Sequence, residues 1–116
     1  MADIFLSKAV DLTTTNATTI YTVPTTDDTT VPQVVGATAV VKSILVSEDS
    51  GNADTITVTL TRASAVFSLF KVTAVAANTT VELLSQSLVL NEGDIIKATA
   101  ATANRLHIVI SLLEIS

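Results

Sequence analysis

His107 is the only histidine in the chain, so a metal site built on two imidazoles cannot form within one copy. Cysteine is absent, which removes the thiolate zinc patterns and any disulfide framework as well. A lone imidazole beside Arg105 and Val109, on a strand pattern, reads as a surface or interface residue before it reads as a general base. No serine sits in a nucleophile elbow, and Gly36, Gly51 and Gly93 are too few and too scattered to cradle a phosphate. Two acidic groupings remain. Glu48, Asp49 and Asp54 flank Ser50-Gly51-Asn52 and offer carboxylate oxygens suited to Ca²⁺, but their spacing departs from the EF-hand loop. Asn, Asp, Ser and Gly are also what a tight turn requires, so a hairpin turn is favoured and these three carboxylates are the weak metal candidates. Asp27 and Asp28 form the second pair, in what reads as a solvated loop. The residues therefore predict no catalytic site, no cofactor and no small-molecule substrate.

The elements that carry these residues are short strands. From Thr55 to Thr61, Ile56, Val58 and Leu60 alternate with four threonines, the period of a half-buried strand. The same period returns at Leu106, Ile108, Ile110 and Leu112. Further strands are expected at Ile4 to Val10, Thr19 to Val23, Val34 to Glu48, Ser64 to Ala74, Asn78 to Leu84, Leu88 to Leu90 and Ile95 to Ala100. Turn clusters at Glu48–Asp54 and Asn91–Asp94 separate them. The spacing predicts an all-β, seven- to eight-stranded antiparallel β-sandwich, jelly-roll-like, in one domain over residues 1–116. Residues 1–10 are expected as an N-terminal arm or an edge strand, and residues 25–36 as a loop insertion between Pro24 and Gly36. Phe67 and Phe70 are expected on opposite faces of one strand, so that either one of them is exposed on a subunit contact or both are covered within the monomer by two sheets or a loop. At least two of the four aromatics are expected in the core, leaving little for a carbohydrate platform.

Composition narrows the partners. Of 116 residues, 48% are hydrophobic, 15% are charged and the net charge is −5. A chain this apolar is no disordered polymer, and its sparse surface charge suggests self-association. Its negative charge repels nucleic acid and anionic lipid. Met1-Ala2-Asp3-Ile4-Phe5 places an acid where a signal peptide carries a basic segment, and Val34 to Val41 is too short to span a bilayer. A soluble protein, made in the cytoplasm and used without export processing, is expected. The sequons at Asn16 and Asn78 are treated as chance matches.

Several segments carry a family resemblance. Val75 to Leu84, Leu88 to Ile96 and Ala103 to Ile115 look like the C-terminal half of small virion structural proteins of tailed bacteriophages. Ile20-Tyr21-Thr22-Val23-Pro24 followed by Ala39 to Val46 is similar to their first half. Where such proteins have a short turn after the Tyr-Thr-Val strand, this chain carries residues 25–36. The Leu-Asn-Glu-Gly-Asp-Ile-Ile segment also resembles the Gly-Asp turn of trimeric jelly rolls. The resemblance implies a capsid decoration, or cement, protein on the outer shell, with the major capsid protein as partner and a homotrimer as oligomer. A tail, baseplate, neck or fibre component is the alternative, and a cellular carbohydrate- or calcium-binding sandwich a third reading. Assembly contacts are expected from Ile4, Phe5 and Leu6 in the arm and from Arg105 and His107 on the last strand.

Overall fold

Strict alternation of apolar and polar side chains leaves each strand one face to bury, and two sheets stacked face to face satisfy all of them at once. The computed structural model describes residues 3–26, 29 and 36–115. Through them run β1 (Asp3–Leu12), β2 (Thr18–Thr22), β3 (Thr38–Glu48), β4 (Asp54–Arg62), β5 (Ala65–Val75), β6 (Thr80–Glu82), β7 (Leu88–Leu90), β8 (Ile95–Ala100) and β9 (Leu106–Ile115). β1 pairs with β9, β2 with β8, β3 with β6 and β7, and β4 with β5, all antiparallel. A long hairpin nested in this way and rolled into two layers has jelly-roll connectivity. One sheet has the order β1-β9-β3 with β6 and β7 beyond β3, and the other the order β2-β8-β4-β5. Among the described residues the strand count rises to nine because residues 83–87 interrupt the partner of β3 and leave β6 and β7 as two short pieces.

The core between the sheets is almost wholly aliphatic. Leu106, Ile108, Ile110 and Leu112 of β9 face Ile56, Val58 and Leu60 of β4 and Ile96 of β8, and all are buried. Tyr21 is the one buried aromatic, correcting the expectation of two or more. Its hydroxyl donates to Glu114 Oε2 at 2.6 Å and so ties the four-stranded sheet to the five-stranded one. Burial and the neighbouring carboxylate push the Tyr21 phenol well above its ordinary range, so it stays a donor at any physiological pH.

Three irregularities re-aim side chains. A shift between Val41 and Ser43 in β3 turns Ile44, rather than Ser43, toward the core. A second, at Ile20 in β2, buries Ile20 and Tyr21 in succession. In β5 the shifts put Phe67 opposite Leu60 and Phe70 opposite Val58. Cross-strand partners share a face, so the two phenylalanines lie on one side of the sheet, not on opposite sides. The N-terminal segment is no free arm: from Asp3 to Leu12 every residue is in register with β9. Most of the 25–36 insertion, including Asp27 and Asp28, lies outside the described residues. Its ends are pinned, with Ala37 N donating to Pro24 O (3.1 Å) and Thr26 donating from N and Oγ1 to Glu92 Oε1 (2.8 and 2.7 Å). A Cβ at Gly36 would collide with Glu92 and with the Thr26 amide, so the clasp requires glycine there.

Candidate functional site

The three carboxylates proposed for a cation are each engaged by protein donors. Glu48 is 1% exposed and accepts the backbone N–H of Ser50, Gly51 and Asn52 together with the Ser50 hydroxyl, at 2.7–3.3 Å. It builds the β3–β4 turn from inside. Asp54 Oδ2 accepts Thr102 N at 3.0 Å, and Asp49 Oδ1 lies 3.1 Å from His107 Nε2. Among the described residues no three acidic or imidazole side chains gather as a metal would need. His107 Nδ1 is also 3.4 Å from Asp11 Oδ1. Both ring nitrogens therefore face carboxylates, and Ser47 is the cross-strand neighbour of His107 on β3.

What the fold does assemble is a patterned surface on the outer face of the five-stranded sheet. Register places Phe5, Leu113, Val40 and Val89 in one unbroken row across β1, β9, β3 and β7. The next row is Ser7, Ser111 and Ser43, and the one after it Ala9, Val109, Leu45 and Glu82. The last is polar: Asp11, His107, Ser47 and Thr80. At about 4.8 Å between strands, the first row is about 14 Å wide. Phe5 is 78% exposed and Val89 56%. Leu113 and Val40 between them are half-buried, so the row joins two exposed apolar ends through a partly covered middle, a more extended apolar surface than a single exposed side chain gives.

The five expected assembly residues do not form one site. Phe5 and His107 share this outer face, but five residues of β1 lie between Phe5 and Asp11, the partner of His107, about 20 Å of strand. Ile4 and Leu6 point to the other face, where Leu6 packs against the core. Arg105 lies at the end of the sandwich, donating from Nη1 to Ala53 O (3.2 Å), on the rim of an open cleft of about 860 Å³ lined mainly by alanine, valine and threonine. Leu113, Val40 and Val89, which complete the row, were not singled out by sequence. Their signal was the outward half of each alternating pattern, where threonine or serine would otherwise be expected.

One further carboxylate organises an edge. Glu82 accepts the Ser43 hydroxyl (2.5 Å) and the backbone N–H of Ile44 (2.8 Å) and Leu84 (3.3 Å), holding short β6 against β3. Burial alone would raise Glu48 and Glu82, but these hydrogen bonds outweigh it and hold both below the ordinary carboxylate range. A depressed folded-state value gives stability that is complete above the unfolded-state value and lost as pH falls. The protein is therefore expected to hold a constant melting temperature from pH 7 to about pH 5 and to lose stability below about pH 4, near the unfolded Glu value. Thermal unfolding across pH 7 to 2 measures this, and Glu48→Gln should flatten part of the acid limb.

No protein-family model matches the chain, and no curated protein matches it.

Proposed function

We propose that this chain is a non-enzymatic virion structural protein of a tailed bacteriophage, a decoration protein that binds the outer capsid shell through the outer face of its five-stranded sheet. The row Phe5–Leu113–Val40–Val89 carries the reading. The row itself holds no charged residue, although Lys42 lines the same cleft as Phe5, and it is pre-formed on paired strands with both its ends exposed, so docking requires no folding step and loses little conformational entropy. The resemblance of its strands to small phage virion proteins and the jelly-roll connectivity, which recurs in viral capsid domains, point the same way by analogy. A protein that binds the assembled shell and not its unassembled subunits stabilises the lattice by mass action, without chemistry. The experiment is add-back: purified protein mixed with shells that lack it. The expected result is saturable binding and a raised shell melting temperature; failure to bind shells at micromolar concentration contradicts the reading.

A further inference from the structure

The second sheet ends in an edge that is unlike the others. β5 is the last strand of β2-β8-β4-β5, so among the described residues one side of its backbone has no strand partner. Its two halves differ. Shifts between Ile56 and Thr59 of β4 disrupt the ladder around Leu69 to Val72, where Val72, a β-branched residue, has φ +50° and its N–H goes to Thr57 Oγ1. Bulges of this kind twist an edge away from pairing. From Ala65 to Ser68 the ladder is regular, each residue opposite one residue of β4 from Arg62 back to Thr59. This half carries no proline, charge or bulge, the devices that normally protect an edge. It leaves Val66 65% and Phe67 51% exposed.

Phe67 stands opposite core-facing Leu60, so its ring lies on the inner side of the sheet, where the other sheet does not cover it. Beside it Leu69, Phe70, Leu83, Leu84 and Leu88 line a cleft of about 230 Å³ between β5 and the 83–88 segment. Across the sheet Arg62 stands opposite Ala65 and is paired with Asp94, and Lys97 stands two strands from Ser68; along the chain that follows, charge is sparse. From Ala63 to Asn91 the only charged side chains are Lys71 and Glu82, one of each sign, in a chain of net charge −5.

We infer that this edge pairs with the same edge of a second copy, β5 against β5 about a two-fold axis at Phe67. Antiparallel pairing centred there sets Phe67 against Phe67 and Val66 against Ser68 of the partner subunit, within the regular stretch, while the bulged segment that carries Lys71 and the positive-φ turn at Ala63 and Ser64 lie outside the paired residues. No like charges meet, and two four-stranded sheets become one of eight strands. Two copies of an acidic protein repel each other elsewhere, so this neutral edge is where association costs least. An isologous contact also closes on itself and does not run on into fibres.

The geometry connects to the proposed shell-binding face, and to that extent rests on that reading. A two-fold axis between antiparallel strands of one sheet stands perpendicular to the sheet, so the outer faces of both five-stranded sheets point the same way. The dimer presents two Phe5 rows to one surface. Bivalent attachment lets a modest single contact hold tightly and bridge neighbouring shell subunits.

Sedimentation velocity and native mass spectrometry across a range of concentrations test the pairing on the free protein. The expected result is a concentration-dependent dimer, with Phe67→Asp raising the dissociation constant at least about tenfold. Phe67 is half exposed, so a folded variant is expected, checked by circular dichroism. Since the chain has no cysteine, Phe67→Cys adds a single thiol. Directly opposite Cβ atoms are about 4.5–5.5 Å apart, close to disulfide reach, so this variant should oxidise to dimers while Val89→Cys should not. A strict monomer, a trimer, or a dimer indifferent to Phe67→Asp would overturn the inference. A dimer in solution beside no binding to shells would sink the shell reading and leave the pairing intact.

Discussion

Replacing Asp94 with alanine is expected to cost about 2–3 kcal/mol and to lower the melting temperature by roughly 10 °C. Asp94 is 1% exposed and is the centre of a knot joining three elements. Its carboxylate accepts Arg62 Nε at 2.9 Å and Arg62 Nη2 at 2.5 Å from the end of β4, and Asn91 N at 2.7 Å within its own turn. Its carbonyl accepts Val23 N just past β2, while Val23 O accepts Gly93 N in return. Gly93, at φ +80°, lets the turn close. Breaking a buried ion pair by removing one partner usually costs about 3–5 kcal/mol; the lower figure applies because the Arg62 side chain is 45% exposed and water replaces part of the loss. The Arg62 hydrogen bonds, against the opposing effect of burial, hold Asp94 below the ordinary carboxylate range. Its contribution is therefore full above about pH 4, near the unfolded Asp value, and is lost as pH falls through the folded one. Wild type and Asp94→Asn should differ clearly at pH 7 by urea unfolding and converge in acid. An equal gap at both pH values would mean that the charge is not what matters.

The second large effect is on docking. Phe5→Asp combined with Val89→Asp should weaken binding to shells by about 100-fold or more. Burying each of these side chains is worth about 1.5–3 kcal/mol, and each 1.4 kcal/mol is tenfold in affinity. Both residues are already in water in the free protein, so its own stability should change by no more than about 0.5 kcal/mol per site. The split separates docking from folding, since a core variant would lose both together. Retention of full shell binding by the double variant, measured by co-sedimentation, would place the contact elsewhere on the molecule.

Much of this architecture was legible because period-two alternation is unambiguous where a strand has one dry face. β4 and β9 show it, and the residues expected inward, Ile56, Val58 and Leu60 with Leu106, Ile108, Ile110 and Leu112, are all buried. The clusters at Glu48–Asp54 and Asn91–Asp94 turn the chain where Gly, Asn and Asp indicate. What stayed hidden were departures of one residue. The slip at Val41/Ser43 and the bulges in β5 reverse which residues share a face, and nothing in the composition of those strands marks them. The β4–β5 turn is equally silent: Ala63 and Ser64 take φ of 50° and 69°, a pairing usually signalled by Asn-Gly. The surface row was illegible for another reason. Phe5, Leu113, Val40 and Val89 come from four segments far apart in sequence, and only the pairing of β1, β9, β3 and β7 aligns them. Glu48 and Asp54 belonged to a turn motif that admits two chemistries, and the structure gives their oxygens to backbone amides.

The central claim, that this protein coats a capsid, is tested most directly by its copy number in the particle. Quantitative mass spectrometry of purified virions gives the molar ratio of this chain to the major capsid protein. A decoration protein follows the shell lattice, so a ratio near one, or a simple fraction such as one third, is expected. A ratio of a few per cent, as for a tail or neck component, or absence from the particle, would contradict it.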